Sequence, residues 1–311
     1  MTGDPQVRTV LGDIDPARLG VTDAHDHLFF ASKLLPGQEL DDPAAATELL
    51  LSFRAAGGSA LVQWTPYGLT RRTRELARMS EEAGVHVVAA TGLHRAEHYP
   101  PVILGRVVDD LVRVFVADLT EGTQPADLPD EPRTGPRAGL IKVAGAFHTI
   151  DSHARLTMTA AAVAHEETGA PIAVHLELGT AALEVAELLC GKLDVPPDRV
   201  ILGHLNRNPD ARIQREVAET GVFLGFDGPS RANHFSDARV FDGLEALVEA
   251  GHGGQILLGG DTTTAAARYE PGAPYLLTTL APRLAKLLGG DVVTAMLVAN
   301  PARAFATSWL E

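Results

Sequence analysis

The sequence predicts a parallel (β/α)8 barrel with a short N-terminal hairpin, and three observations carry the prediction. Short aliphatic runs alternate with longer amphipathic stretches eight times along the chain, the order expected of a parallel sheet wrapped by helices. Most of the runs are apolar throughout rather than alternating, as strands buried on both faces are. Five of them carry or end in a histidine, lysine or aspartate. In a barrel the carboxyl ends of all strands meet at one mouth, where catalytic residues sit. The alternative, a doubly wound open sheet, usually has fewer strands and does not gather eight strand ends in one place. The 311 residues suit a single domain, with the barrel at about 20–290 and a C-terminal helix over 291–311.

Taken in order, residues 7–11 and 14–19 with Gly12-Asp13 between them read as a hairpin capping the barrel floor. Strand one is the apolar run 19–28, which closes on Asp23-Ala24-His25-Asp26-His27-Leu28; alternation puts His25 and His27 on one face. Asp42-Pro43 joins an N-cap acid to a proline at the first helical position and starts a helix reaching Gly57-Gly58. Residues 60–64 are strand two, 70–83 its helix, and 85–91 strand three. The spacing of Val107, Leu111, Val114 and Phe115 predicts one helix over 101–119. The Pro- and acid-rich stretch 120–136 is expected to be a solvated connection on the floor. Strand four is 140–143, followed by a helix at 156–168; strand five is 172–176, with a helix at 181–193. Strand six is 200–202, and Asn208-Pro209 starts the next helix, which ends at Gly221. Strand seven is 222–226, with a helix from about 237 to 250, and strand eight is 256–258. Helices at 275–288 and 292–305 close the chain.

Charge and composition exclude several classes of function. Forty acidic against 26 basic residues give a net charge of −14. That argues against nucleic acid or an anionic membrane as partner, since both reward basic patches. No apolar run is long enough to span a bilayer. Met1-Thr2-Gly3-Asp4-Pro5 has neither the basic nor the apolar region of a secretory signal. The single cysteine, Cys190, falls in a helical pattern and forbids an internal disulfide; this forces no redox compartment, but a reducing cytosol fits, and a cytoplasmic location is the expectation. The partner left by this composition is a small-molecule substrate, with a homodimer as an allowed assembly.

The chemistry lies at the strand ends. His25 and His27 end strand one, Lys142 lies in strand four and His175 ends strand five. His204 follows strand six, and Asp261 follows strand eight. Imidazoles and carboxylates are ligands for divalent transition metals. Singly, most have a plain structural explanation: His175 as a satisfied core histidine, His204 as a strand-end cap, Asp261 after Gly259-Gly260 as a turn residue. Lys142 does not, because a buried ammonium is costly unless paired or neutralised. Six such residues at one end of five strands point to a metal-binding mouth.

Several segments add a further signal: Val7-Arg8-Thr9-Val10-Leu11-Gly12, Ala24-His25-Asp26-His27-Leu28, Val88-Ala89-Ala90-Thr91-Gly92, Ala138-Gly139-Leu140-Ile141-Lys142-Val143-Ala144, Gly203-His204 and Asn300-Pro301-Ala302-Arg303. Through them, nearly end to end, the chain resembles the phosphotriesterase family of the amidohydrolase superfamily, and its sugar-lactonase branch in particular. The resemblance implies a metal-dependent hydrolase acting on ester bonds, foremost a lactonase that opens a polar, sugar-type lactone with a hydroxide bridging two divalent ions. It implies that His25, His27 and Asp261 hold one ion, that His175 and His204 hold the other, and that Lys142, as N-carboxylysine, bridges both. Zn²⁺ is the expected metal, with Co²⁺ or Mn²⁺ as alternatives. Carboxylation makes physical sense here: it turns a buried cation into an anion with one oxygen for each ion. Two close ions lower the pKa of a shared water and polarise the substrate, and Asp261 takes the proton.

Phosphotriester-cleaving members carry an aspartate two residues after the strand-six histidine and a histidine on the strand-seven loop. Asn206 and Arg231 stand at these positions here. Members of the lactonase branch that take phosphorylated substrates have a lysine where this chain has Asn233. Arg231 is expected to offer its guanidinium to an oxygen-rich substrate, or else to brace Asp227 or Asp261. Further pocket candidates are His94, His98 and Tyr99, Trp64 and Tyr67, Glu177, Arg207, and Arg268 with Tyr269. His153 is among the histidines given no role. Competing readings are a phosphotriesterase, arylesterase or acyl-homoserine lactonase of the same family, and a barrel that only binds its ligand. The last has no need of all six ligands.

Overall fold

The computed structural model describes residues 3–124, 127, 132–229, 234–269 and 272–310. The expected hairpin is present as β1 (Gln6–Thr9) and β2 (Gly12–Ile14), paired antiparallel. Eight parallel strands follow in sequence order: β3 (Thr22–Asp26), β4 (Ala60–Gln63), β5 (His86–Gly92), β6 (Leu140–Ala144), β7 (Ile172–His175), β8 (Val200–Gly203), β9 (Phe223–Asp227) and β10 (Ile256–Gly259). β10 returns to β3 at the mouth, where the Asp261 N–H donates to the His25 carbonyl at 2.8 Å. The Gly260 N–H donates to the Asp23 carboxylate at 3.0 Å. A Cβ on Gly259 would lie 2.8 Å from that of His25, so only glycine lets the backbones approach this closely.

The outer layer is helical. α1 (Pro43–Ala55) starts as expected, the Asp42 carboxylate accepting from the Ala44 N–H. α2 (Thr73–Ala83) stops at Gly84, whose φ of 62° suits glycine. The helix expected over 101–119 is two, α3 (Pro101–Val107) and α4 (Leu111–Thr120). Asp109 and Asp110 fall at the break, and aspartate favours helix starts over interiors. α5 (Ser152–Thr168) is capped by Asp151, and α6 (Ala182–Ala186) runs on as the wider turn Glu187–Lys192. α7 (Ala211–Glu219) is capped by Asp210 rather than started at Asn208-Pro209. α8 (His234–Asp237), α9 (Val240–Glu249), α10 (Ala265–Tyr269), α11 (Ala281–Leu288), α12 (Gly290–Thr294) and α13 (Asn300–Phe305) complete it.

Two expectations about the floor are corrected. The chain does not stay helical to its end: β11 (Ala306–Thr307) pairs antiparallel with β1 and extends the hairpin into a three-stranded sheet. The unpaired edge of β1 gives an extended segment backbone partners there. Nor is the 120–136 connection wholly solvated. Asp127 is buried; its carboxylate accepts from the Gly68 N–H at 2.9 Å and from Arg71 at 2.8 Å, while the Tyr67 hydroxyl donates to its carbonyl at 2.6 Å. Charge on Arg71, itself buried, explains why this loop folds back onto the wall.

Inside the barrel, one apolar cluster joins Ala24, Val62, Val88, Leu140, Ala173, Ile201, Phe223 and Leu257 from successive strands to Val7 and Ile14 of the hairpin and Phe305 of α13. The barrel is thus filled and floored, leaving its mouth for chemistry. Among the described residues no helix is long and apolar enough to cross a membrane.

Candidate metal centre at the barrel mouth

The strand ends deliver the six candidate ligands to one cavity of about 370 Å³, lined by His25, His27, Lys142, His175, His204 and Asp261. β3 departs from regular register between Asp23 and Asp26, and both aspartates brace the histidines. Asp23 accepts the His25 N–H at 3.2 Å; Asp26 accepts the N–H of His27 and of Thr262, both at 2.7 Å. His204 and Asp261 have φ of 62° and 47°, left-handed backbone that is uncommon for side-chain-bearing residues and concentrates at functional sites.

Hydrogen bonds fix the tautomer of each imidazole. His25 Nδ1 donates to Asp227 Oδ2 at 2.7 Å, and His204 Nδ1 donates to Asp227 Oδ1 at 2.5 Å. The Thr65 hydroxyl donates to the Phe29 carbonyl, so it accepts from His27 Nδ1 at 2.7 Å. His175 Nε2 donates to Glu177 at 3.0 Å. In the neutral rings this leaves one bare nitrogen each. Those of His25 and His27 lie 3.5 and 3.6 Å from Asp261 Oδ1. Those of His175 and His204 lie 2.7 Å from each other, an arrangement that wants a cation or a proton between them. One ligand atom each from His25, His204 and Asp261 falls within 4.8 Å of the others. The donor set and its convergence fit divalent ions.

Electrostatics agree. Burial lowers the pKa of His27, and together with cationic neighbours it lowers those of His94 and His175 further, which favours the neutral form of all three rings. Burial opposes charge on His204 too, but Asp227 and Asp261 outweigh it and raise that pKa. Asp261 keeps 13 % of its side chain exposed; desolvation opposes its charge, yet His204 and His25 pull its pKa down to about 2. Lys142 is 2 % exposed, and desolvation lowers its pKa to about 7; its Nζ lies 2.7 Å from His94 Nδ1.

Of the expected substrate contacts, His94, His98, Glu177 and Arg207 line the cavity. Arg207 also donates to Asp237 at 2.6 Å and to the Gly228 carbonyl at 2.8 Å. Tyr99, Arg268 and Tyr269 do not line it. Tyr99 is buried, with its hydroxyl accepting the His94 N–H at 2.7 Å. Arg268 is buried and donates to the Leu28 carbonyl, while Tyr269 is 72 % exposed. Trp64 and Tyr67 are likewise inside the wall, Trp64 stacked beneath His25 at 3.7 Å. Arg231 and Asn233 lie outside the described residues. The sequence reading missed Asp227 as the common anchor of His25 and His204. It also missed Arg95, Phe30, Leu34, Leu35, Leu178 and Thr263 in the lining, and His153, which donates to the His94 carbonyl at 2.8 Å. A cleft of about 620 Å³ between α4 and α5 is larger but brings no histidine together.

A barrel with histidines, a lysine and an aspartate at the ends of its strands defines a metal-dependent hydrolase. The profile of the Phosphotriesterase family matches residues 5–305, and the chain belongs to that family. It is 31% identical, over 96% of its own length and 91% of the relative's, to a phospho-furanose lactonase of Mycoplasmopsis synoviae. Its structure resembles that of a lactonase from Listeria monocytogenes, with a TM-score of 0.85 and 28% identity over 96% and 98% of the two chains. It also resembles a mutant organophosphorus hydrolase from Deinococcus radiodurans, with a TM-score of 0.83 and 27% identity over 96% and 97%.

Proposed function

We propose that this chain, as one domain over residues 1–311, is a binuclear metal-dependent lactonase that opens a polar, sugar-type lactone. The observation that carries the reading is the set of fixed tautomers: four imidazoles tied back at one nitrogen and converging at the other, beside Asp261 and Lys142. His25, His27 and Asp261 would hold one ion and His175 with His204 the second. Lys142, as N-carboxylysine, would give an oxygen to each. A lysine pKa near 7 supports this, because the unprotonated amine is the form that combines with CO₂. Bound ions supply an activated water and polarise the substrate's carbonyl. Asp261, ionised throughout the neutral range, is the acceptor for the proton that the attacking water gives up. Zn²⁺ is the metal we favour, and the free, half-buried Cys190 supports a cytoplasmic setting.

Lactone is favoured over phosphotriester by Asn206. Its amide donates to the Asp227 carbonyl at 2.9 Å and to Asp237 at 3.0 Å, and its oxygen accepts the Asp227 N–H at 3.1 Å. An amide fixed in this way carries no titratable proton, so it cannot pass on a proton as the aspartate that phosphotriester-cleaving members carry at this position could. The lactonase names of the relatives support the same choice. A second reading, an arylesterase or phosphotriesterase, is favoured by the apolar lining of Phe30, Leu34, Leu35 and Leu178. A pH-indicator screen of the metal-reconstituted protein separates the two. The panel holds γ-lactones with and without hydroxyl or phosphate groups, acyl-homoserine lactones and paraoxon-type esters. We expect hydroxylated γ-lactones to be turned over fastest. Faster turnover of a paraoxon-type ester than of any lactone would sink the lactonase reading.

A further inference from the structure

Arg95 lines the mouth one residue after His94, yet its guanidinium is committed to protein carboxylates. Nη1 pairs with Glu177 and Nη2 with Glu97. The buried Nε has no partner among the described residues. The Glu177 oxygen that takes Arg95, Oε2, is the one that accepts from His175 Nε2 at 3.0 Å. Arg95 and Glu177 are 17 % and 26 % exposed, so solvent screens the pair only in part. We propose that Arg95 is a positioning residue: through Glu177 it holds the His175 ring with Nδ1 aimed at the second ion site. A cation between two carboxylates has little charge to spare for a substrate. A carboxylate pinned by a planar guanidinium is, in contrast, a fixed acceptor for an imidazole N–H.

The inference rests on reading His175 as a ligand, and the test keeps the two apart. Metal-free protein is titrated with Zn²⁺ against a chromophoric chelator to obtain both dissociation constants. The forms compared are the unmutated chain, Arg95→Gln, Arg95→Lys, Glu177→Gln and the double variant R95Q/E177Q. We expect Arg95→Gln to weaken one site by about 10- to 100-fold and leave the other unchanged. Arg95→Lys should recover most of that loss. The double variant should be no weaker than Glu177→Gln alone, because Arg95 acts through Glu177. Unchanged affinities with a raised KM for hydroxylated lactones would overturn the inference and make Arg95 a substrate contact. Additive losses would also overturn it, as would equal weakening of both sites with a lowered unfolding temperature. Fewer than two ions on the unmutated chain would instead remove the metal-centre reading itself.

Discussion

Asp227 holds two imidazoles on one carboxylate, and His204 and His25 pull its pKa well below the usual carboxylate range against the effect of its burial. Asp227→Asn keeps the shape but leaves one acceptor oxygen for three N–H donors, the two ring N–H groups and the His204 backbone N–H. We expect both ion sites to weaken, by about 10- to 100-fold, in calorimetric titration; unchanged affinity at both would contradict the anchoring role. Lys142→Ala should lose metal and regain part of its activity when a short carboxylate and metal are added together. The pH dependence of Lys142 has a definite sign. Its pKa is lowered to about 7 by burial, so the amine is protonated below that value and free above it. CO₂-dependent reconstitution of metal-free protein should therefore quicken from pH 6 to pH 8, and a rate that falls over that range would argue against the bridge. At this scale the sequence was legible where a candidate ligand ends an aliphatic run. Asp227 was not legible, because its role is set by His25, 202 positions away, and by His204 on a neighbouring strand.

The elements explain why the candidate ligands arrive together. Parallel strands buried on both faces are aliphatic throughout, which made all eight visible as runs, with most of the candidate ligands at or just past their carboxyl ends and Lys142 within β6. Gly92 ends β5 with φ of 103°, and a Cβ there would fall 2.0 Å from the Lys142 carbonyl oxygen. Gly92→Ala should push β5 off β6 at the lysine, and cost stability at the upper end of the roughly 0.5–3 kcal/mol usual for single changes. Denaturant unfolding measures it, and a loss within error of zero would show that the contact relaxes. What was not legible concerns tertiary partners. The break at Asp109-Asp110 interrupts a continuous apolar stripe, so periodicity alone ran the helix through it. Tyr99 and Arg268 look like loop polar groups in sequence, but find backbone partners inside the wall.

Across the whole molecule, the floor is tied together by Arg8. Its guanidinium grips Asp13 with two bonds of 2.8 Å, donates to the Leu119 carbonyl at 2.7 Å and lies 3.8 Å from the Trp309 ring. One side chain thus joins the hairpin, α4 and the C-terminal segment, a convergence that local pattern does not reveal. Arg8→Ala should destabilise the fold at the low end of the roughly 3–5 kcal/mol lost when a buried pair is broken, since Asp13 keeps some water and sits near Arg137. It should leave the affinity of the mouth for metal unchanged; a parallel loss there would mean that floor and mouth are coupled. The barrel and its order were readable because closure needs only eight aliphatic runs in sequence. The central claim is that five strand ends build a two-ion centre bridged by a carboxylated Lys142. Native mass spectrometry of the metal-loaded chain tests it most directly. The account predicts the chain mass plus two divalent ions plus one CO₂, with the CO₂ lost in Lys142→Ala. Two ions on an unmodified chain would contradict the bridge, and one ion or none would contradict the centre.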